Sequence, residues 1–424
     1  IATMWNKIKA FYNKEDCDLS TGYIDPFEFH KTFYYILGAF KVTDIENPHP
    51  PSYLNQNAFI VMYGSLTMTF TLLSVYHGVD IRDLPVITEA GTYTILLIYE
   101  LIIVSCTWRN LPQYHNLLRA LKEDFLYICT VGEKYRVRFF ENQLLTWKIC
   151  LVLCAFNVSV PVGMLIFELL ALFYFLVTQT PGEEGSRPLL FPFWVFDVDF
   201  TKTPIFEAAF LFSNSSALLY AYNYTFMAQT LIVWVRQIAL KADLVIWSIQ
   251  DLLVDIRPAT NEEERVLFSR VIQVRMRDII MHHQSMYRLL DDFAKVHKKF
   301  LMFEEKSCSY IVCLCTYCIA EKLDDGEFQV VLLILCVAVI VLHFIPSYLC
   351  TYLEYKVSAI CDACWGCPFW NAGPVIRPYM VIMMQRSLRP LPLQTPGFQN
   401  VSIETFSKEM TSAYSLFNML RQAN

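Results

Sequence analysis

Charged residues are scarce in this chain. Asp, Glu, Lys and Arg make up 17% of its 424 residues, whereas ordinary soluble domains carry about 25%. Hydrophobic residues make up 55%, and a soluble core could not bury that much apolar surface. The composition therefore argues against a soluble protein and predicts a membrane protein. The net charge of −6 comes without a basic stripe, so nothing indicates binding of nucleic acid.

Enzyme motifs are missing as well. The sequence contains no Gly-rich phosphate loop, no His-Glu-x-x-His pair and no Gly-x-Ser-x-Gly elbow. Cys361, Cys364 and Cys367 have the spacing of metal ligands, but no fourth ligand lies nearby in the sequence. Structural or palmitoylated cysteines are the better interpretation. We therefore expect no enzymatic activity, no metal ion and no cofactor.

Long apolar runs, by contrast, are frequent. A bilayer requires about 20 consecutive apolar residues for each helical crossing. Six runs, the fifth completed by its flanks, predict crossings: Asn57–Tyr76, Thr88–Cys106, Trp147–Val177, Ile205–Val235, Cys308–Ala320 and Phe328–Tyr352. A seventh helix, 402–424, is too polar to face lipid all round and is best explained as facing water inside the membrane. The predicted fold class is an all-α membrane protein with seven transmembrane helices.

Positive charges set the expected orientation. Most of the 34 Lys and Arg residues fall on one side of the predicted crossings, and cytoplasmic loops retain such an excess. The N-terminus is therefore expected in the cytoplasm and, after seven crossings, the C-terminus outside. G-protein-coupled receptors run the other way, and their Asp-Arg-Tyr and Asn-Pro-x-x-Tyr motifs do not occur here.

The predicted crossings divide the chain into six parts. They are a cytoplasmic N-terminal segment (1–56), transmembrane helices 1–4 (57–235), a cytoplasmic helical extension or anchor (236–302), transmembrane helices 5 and 6 (303–353), a cytoplasmic anchor helix and loop (354–401) and a pore-lining terminal helix (402–424). The extension keeps an apolar stripe at helical spacing. That stripe either packs within the chain or forms a subunit interface.

The C-terminal region carries the most specific motifs. They are Arg386-Ser387-Leu388-Arg389-Pro390-Leu391-Pro392, Leu393-Gln394-Thr395, Gly397-Phe398, Val401-Ser402, Phe406 and Ala413-Tyr414-Ser415-Leu416-Phe417. This pattern resembles the C-terminal signature of the insect odorant receptor family. The related gustatory receptors end in Thr-Tyr, five residues and Gln-Phe, whereas here Leu420 stands at that distance from Tyr414. A gustatory-type chemoreceptor and a membrane transporter remain the alternatives.

The resemblance implies a function. It implies an odorant-tuned subunit of a ligand-gated, non-selective cation channel in the plasma membrane of olfactory sensory neurons. It further implies a volatile small molecule as ligand and coreceptor subunits as partners in a heterotetramer. The family's coreceptor has a much longer loop between helices four and five, so this chain resembles the tuned subunits.

A ligand cavity is expected in the outer halves of the helices, where the resemblance also places the family's site. A mainly apolar pocket with a few hydroxyl groups suits a small volatile molecule. Each side chain taken alone is also compatible with ordinary helix packing. The expected lining consists of Thr92, Tyr93, Leu96, Met164, Phe167, Glu168, Ala171, Phe212, Ser213, Ser216, Tyr220, Leu332, Leu335 and Cys336.

Ionisable and helix-breaking residues stand inside the predicted crossings. Glu100, Glu168 and His343 are costly in hydrocarbon unless they face a cavity or a partner. Pro161 and Gly163 interrupt the third crossing, where freed backbone groups need neighbouring helices or water. A bend there would open room between the helices.

The terminal helix has a candidate pore face. Ser415, Met419 and Gln422 share one face by their spacing, with Asn418 beside them. Met419 is expected to act as an apolar plug and Gln422 as a polar ring toward the outside. The resemblance implies the same order of an apolar gate residue followed by Gln.

The other residues of this helix have expected roles as well. Tyr414, Phe417 and Leu420 are expected to pack against the bundle. In an assembly of four identical chains, four Arg421 charges would surround a narrow mouth and repel cations. The chain alone is therefore expected to conduct poorly.

Overall fold

The protein is described by a computed structural model covering residues 2–14, 23–40, 42, 56–178, 187–196, 198–254, 262–368, 375–393 and 400–423. The described residues form helices and no strand, apart from an isolated bridge between Val195 and Val198. The helices are α1 (Ala2–Asn13), α2 (Pro26–Phe29), α3 (Lys31–Ala39), α4 (Gln56–Ile81), α5 (Leu84–Arg109), α6 (Leu111–Thr130), α7 (Glu133–Thr178), α8 (Ile205–Gln250), α9 (Glu262–Asp324), α10 (Val330–Gly366), α11 (Arg377–Ser387) and α12 (Ile403–Ala423). The all-α class is confirmed.

Within the described ranges, four helices are long and apolar enough to cross a membrane. They are Asn57–Ile81, Leu84–Arg109, Glu133–Thr178 and Val330–Gly366. The first three contain the first three predicted crossings, and the fourth contains the sixth predicted crossing except Phe328 and Gln329. The fourth and fifth predicted crossings lie inside α8 and α9, and the seventh corresponds to α12. The count of seven crossings and the orientation of the termini remain predictions.

Glycine permits a close approach between α4 and α5. A Cβ atom on Gly78 would lie 2.8 Å from Ile87 Cγ1 and 3.1 Å from Ile87 N, so a larger residue would push the two helices apart. Asp83 caps α5, because its Oδ1 accepts a hydrogen bond from Val86 N at 3.2 Å. These contacts set the tight turn that joins the first two predicted crossings.

Helix α8 forms the centre of the bundle. Nearly all of its side chains between Asn223 and Val245 are buried, and they contact α7, α9 and α10. Trp234 is fully buried, and its indole Nε1 donates a hydrogen bond to the Leu289 carbonyl at 3.2 Å. A helix buried on all sides cannot be recognised by an amphipathic stripe.

A buried polar network joins α8 to the N-terminal segment, α6 and α7. His30 Nε2 lies 2.9 Å from Gln143 Oε1, and Gln143 Nε2 donates to Gln237 Oε1 at 3.0 Å. Gln237 donates in turn to Asp124, whose other oxygen lies 2.7 Å from Lys241 Nζ. All five residues are at most 3% exposed. Its hydrogen bonds take the place of the bonds to water that these polar groups lose on burial.

Burial also fixes the protonation state at one end of this network. It lowers the pKa of His30 to about 4, whereas an unfolded His titrates near 6.5. The unfolded state therefore binds more protons than the folded state between these values, and folding stability decreases as the pH falls below about 6.5.

The buried Asp124–Lys241 pair can be tested by substitution. Lys241→Met should lower the free energy of unfolding by about 3–5 kcal/mol, because it leaves a buried carboxylate without its counter-charge. Asp124→Asn combined with Lys241→Met should recover most of that loss, since Asn still accepts from Gln237. Unfolding of the purified protein in detergent measures both effects.

The exposed pair of Lys134 and Asp251 provides the matched control. Its atoms are 2.9 Å apart, with side chains 56% and 31% exposed, so Lys134→Met should cost less than about 1 kcal/mol. Equal losses for Lys134→Met and Lys241→Met would contradict the assignment of the buried pair.

Candidate functional site

A cavity of about 140 Å³ lies between α5, α7, α8 and α10. Its wall is almost entirely apolar, which favours a compact apolar ligand over water. It is lined by Tyr93, Leu96, Leu97, Tyr99, Glu100, Asn157, Val160, Pro161, Met164, Leu190, Phe191, Ala217, Tyr220, Ala221, Tyr224, Leu335, Ala338, Val339, Leu342 and His343.

Two prolines lie beside this cavity. Pro161 stands inside α7 and Pro346 inside α10, and a proline removes the hydrogen bond to the carbonyl four residues earlier. Those carbonyls belong to Asn157 and Leu342, which both line the cavity. Tyr224 Oη lies 3.3 Å from the Leu342 carbonyl and 3.0 Å from Glu304 Oε1, so these two acceptors compete for its single hydrogen.

Residues 187–196, from the connection between α7 and α8, pack over the cavity. Leu190 and Phe191 contribute to its lining, and the ring of Phe191 meets Tyr93 edge to face at 4.9 Å. Farther along, Trp194 stacks on His77 of α4 with ring centroids 4.3 Å apart. These aromatic contacts hold the segment against α4 and α5.

Several polar groups of the wall have partners inside the protein. Asn223 of α8 donates a hydrogen bond to Glu100 of α5. Tyr220 Oη donates to Thr67 Oγ1 at 2.9 Å. These bonds tie α8 to α4 and α5.

Some of the lining residues expected from the sequence border this cavity. They are Tyr93, Leu96, Met164, Tyr220 and Leu335. Leu332 packs next to them, in one cluster with Tyr93 and Met164. Cys336 does not line the cavity and belongs to the cluster that contains Ala413 of α12.

The expected hydroxyl groups lie elsewhere. Thr92, Ser213 and Ser216 are fully buried, but none of them lines the cavity. Each hydroxyl donates to a carbonyl three or four residues earlier in its own helix. Such local bonds satisfy Ser and Thr in apolar surroundings, so these groups are not offered to a ligand.

The remaining expected residues also lie outside the lining. Phe167 is 40% exposed and Ala171 is exposed as well, because both lie on the outer face of α7. Phe212 stacks on Tyr63 of α4 at 5.1 Å. Glu168 accepts a hydrogen bond from Asn214 Nδ2 at 2.8 Å, which gives it a structural partner.

The cavity lies nearer the middle of the helices than the sequence pattern predicts. Lining residues that were not expected from the sequence include Leu97, Tyr99, Ala221, Tyr224, Ala338 and Leu342. A signal for this depth was present in the sequence. Glu100, Pro161 and His343 are costly inside a crossing, and all three line the cavity.

Helix α12 packs on α9 and α10 by one narrow face. Ala413 is buried in a cluster with Cys308 and Val339, while Ser415, Met419 and Gln422 are exposed and Asn418 is half-buried. The face expected to line a pore is thus unoccupied by other parts of the described chain.

Two expectations for α12 require correction. Tyr414 does not pack against the bundle, because it is 66% exposed. Arg421 is not a free charge, since its guanidinium lies 2.8 Å from Glu321 and 2.7 Å from Asp324 at the end of α9. The argument from repulsion between Arg421 side chains is therefore wrong.

The C-terminal motif and the cysteines are the remaining features singled out in the sequence. Gln394, Thr395, Gly397 and Phe398 of the C-terminal motif lie outside the described residues. Cys364 is fully buried, and in the part of the chain that the structure describes no three His, Cys, Asp or Glu side chains converge as metal ligands would.

Comparisons with known proteins support one family. A family model described as 7tm Odorant receptor matches residues 84–414. The fold is similar to that of the insect olfactory receptor OR5 from Machilis hrabei, with a TM-score of 0.69 and 14% identity over 94% of this chain and 98% of that one. The structure of OR5 in complex with eugenol gives a TM-score of 0.70 at the same identity and coverage. No curated protein sequence matches significantly.

Proposed function

This chain belongs to the 7tm odorant receptor family, and we propose that it is the odorant-tuned subunit of a ligand-gated, non-selective cation channel. A volatile small molecule binds the cavity between α5, α7, α8 and α10 and opens a pore lined by α12. Coreceptor subunits complete the pore in a heterotetramer. The complex acts in the plasma membrane of olfactory sensory neurons.

The cavity is the observation that carries this proposal. Its volume of about 140 Å³ is close to that of an engineered apolar cavity, about 150 Å³, that binds benzene. A ligand of one ring therefore fits without rearrangement of the helices. Such a ligand gains affinity mainly by burial and shape, as expected for an uncharged volatile compound.

Packing supports a route from the cavity to α12. Val339 of α10 lines the cavity and also belongs to the cluster that contains Ala413 of α12. A ligand that displaces the Val339 side chain therefore acts on the wall against which α12 rests. It opens the channel only if it binds the open arrangement more tightly than the closed one.

The connection between α8 and α9 supports the tuned role. Helix α8 ends at Gln250 and α9 begins at Glu262, so the connection is short, whereas a coreceptor is expected to have a much longer one.

The exposed face of α12 supports assembly with other subunits. One helix cannot enclose a pore, and Ser415, Met419 and Gln422 face away from the rest of their own chain.

The chain expressed alone should give little odorant-evoked current, and coexpression with a coreceptor should restore it. One α12 helix cannot enclose a pore, and the proposed coreceptor subunits supply the helices that complete it. Recordings from excised membrane without nucleotide test direct gating and exclude transport or G-protein coupling. Large currents from the chain alone would contradict the proposed role.

Substitution of Met164 should change ligand preference. Met164→Ala enlarges the cavity and should shift sensitivity toward larger odorants, with changes of about 10–200-fold in half-maximal concentration. Phe167→Ala is the matched control, because Phe167 lies one turn away on the outer face of the same helix. Dose-response curves over an odorant panel measure both variants, and equal effects would place the ligand elsewhere.

Substitution of Met419 should affect the gate. Met419 is 58% exposed, and a ring of apolar side chains blocks ions by dewetting. Met419→Ser should therefore raise the basal current of coreceptor complexes, and substitutions of Gln422 should alter cation permeability. Ile403→Ser, at the other end of α12, is the control. Unchanged basal current in Met419→Ser together with unchanged cation selectivity in the Gln422 variants would place the pore on another face.

A further inference from the structure

His343 lines the cavity, and its ring has a buried hydrogen-bond acceptor without a partner among the described residues. Its Nδ1 lies 2.8 Å from the Val339 carbonyl, and because a carbonyl only accepts, Nδ1 carries the proton. In an uncharged imidazole the other nitrogen is then an acceptor. Nε2 is buried and has no hydrogen-bond partner among the described residues.

Asn157 presents a second acceptor of the same kind. Thr225 donates its hydroxyl hydrogen to the Ala221 carbonyl at 2.7 Å, so its oxygen accepts from Asn157 Nδ2 at 3.2 Å. This bond fixes the orientation of the amide. Asn157 Oδ1 is left buried and without a partner in the described part of the protein.

The wall of the cavity therefore holds acceptors that no donor of the described residues engages. His343 and Asn157 each keep an acceptor unused, and Glu100 is a further acceptor that is already engaged by Asn223. Tyr93 Oη and Tyr99 Oη also have no partner among the described residues, but a hydroxyl can donate or accept. Buried acceptors without partners are rare, and those beside a cavity have a natural partner in whatever occupies it.

We propose that this cavity selects compact, single-ring ligands that carry a hydrogen-bond donor, a hydroxyl or amino group, and that His343 Nε2 is the principal acceptor for it. The inference rests on the proposed function for its ligand class, but the binding itself does not depend on the pore. The apolar wall encloses the ring, and the donor satisfies the acceptor that the fold leaves open.

His343 is placed to transmit binding as well as to select the ligand. It borders a second, smaller space between α9, α10 and α12, which is also lined by Glu304, Glu305 and Phe406. Phe406 belongs to α12 and meets Phe344, the residue after His343, edge to face at 5.6 Å. A ligand bound to His343 is therefore separated from the terminal helix by a single layer of side chains.

Phenol, aniline and toluene form a matched set of probes, because they have the same ring and the same number of non-hydrogen atoms. In complexes with coreceptor, phenol or aniline should be at least about 10-fold more potent than toluene, since a site built around a hydrogen bond rejects the analogue that lacks it. Thermal stabilisation of the purified protein by each probe gives a second readout that is independent of gating. The phenol and aniline arms decide between a hydroxyl and an amine.

Two substitutions test the role of His343. His343→Leu should reduce the preference for phenol over toluene to within about 2-fold, with toluene still bound. His343→Gln, which keeps an acceptor, should retain much of the preference; this variant controls for loss of folding, together with measurement of surface expression. The same series at Asn157 shows whether the second acceptor contributes.

The outcomes separate this inference from the proposed function. Equal potency of phenol and toluene on the unmodified protein would overturn the inference and indicate that water satisfies the acceptors. An unchanged preference in His343→Leu would overturn the role of His343. A panel in which no volatile compound evokes current or stabilises the protein would instead overturn the proposed function.

Discussion

The burial of α8 depends on the polar network around Gln237 and Lys241. A helix that is surrounded on every side can carry polar residues only where neighbouring helices supply their partners. Asp124 of α6, Gln143 of α7 and His30 near the N-terminus meet this requirement. Because each group is satisfied only in one register, the network specifies how α6, α7 and the N-terminal segment dock, and apolar packing alone would leave that arrangement less well defined.

The helices of the fold were predictable where apolar runs were long. The runs beginning at Asn57, Thr88 and Trp147 fall within helices that are long and apolar enough to cross a membrane, and the run beginning at Phe328 does so from Val330 onward. The sequence did not reveal how α7 extends before Trp147 or that α8 is buried on nearly every side between Asn223 and Val245, since neither feature produces an apolar run of its own. The pairing of Arg421 with Glu321 and Asp324 was also missed, because residues far apart in the chain give no local signal of an ion pair.

The depth of the cavity was mispredicted for a physical reason. The hydroxyl groups expected to line it are bound by their own helices, as Ser216 is by the Phe212 carbonyl, and so they mark packing positions. Residues that are energetically costly inside a membrane crossing are better indicators of where the cavity lies. Glu100, Asn157, Pro161 and His343 lie at the cavity, because a bundle tolerates a proline or an ionisable group where it leaves space or supplies a partner.

The ion pairs along α12 have a mechanical consequence. Glu409 is paired with Lys306 at 2.9 Å, and Arg421 is paired with the end of the same helix, α9. The two helices are thus joined by ion pairs at two points, about 18 Å apart along α12 at 1.5 Å per residue, and should move together as one rigid unit. Since α9 is 63 residues long, this unit extends over about 95 Å. A small rotation at one end becomes a large displacement at the other, so the far end of α9 is a natural place for control of opening.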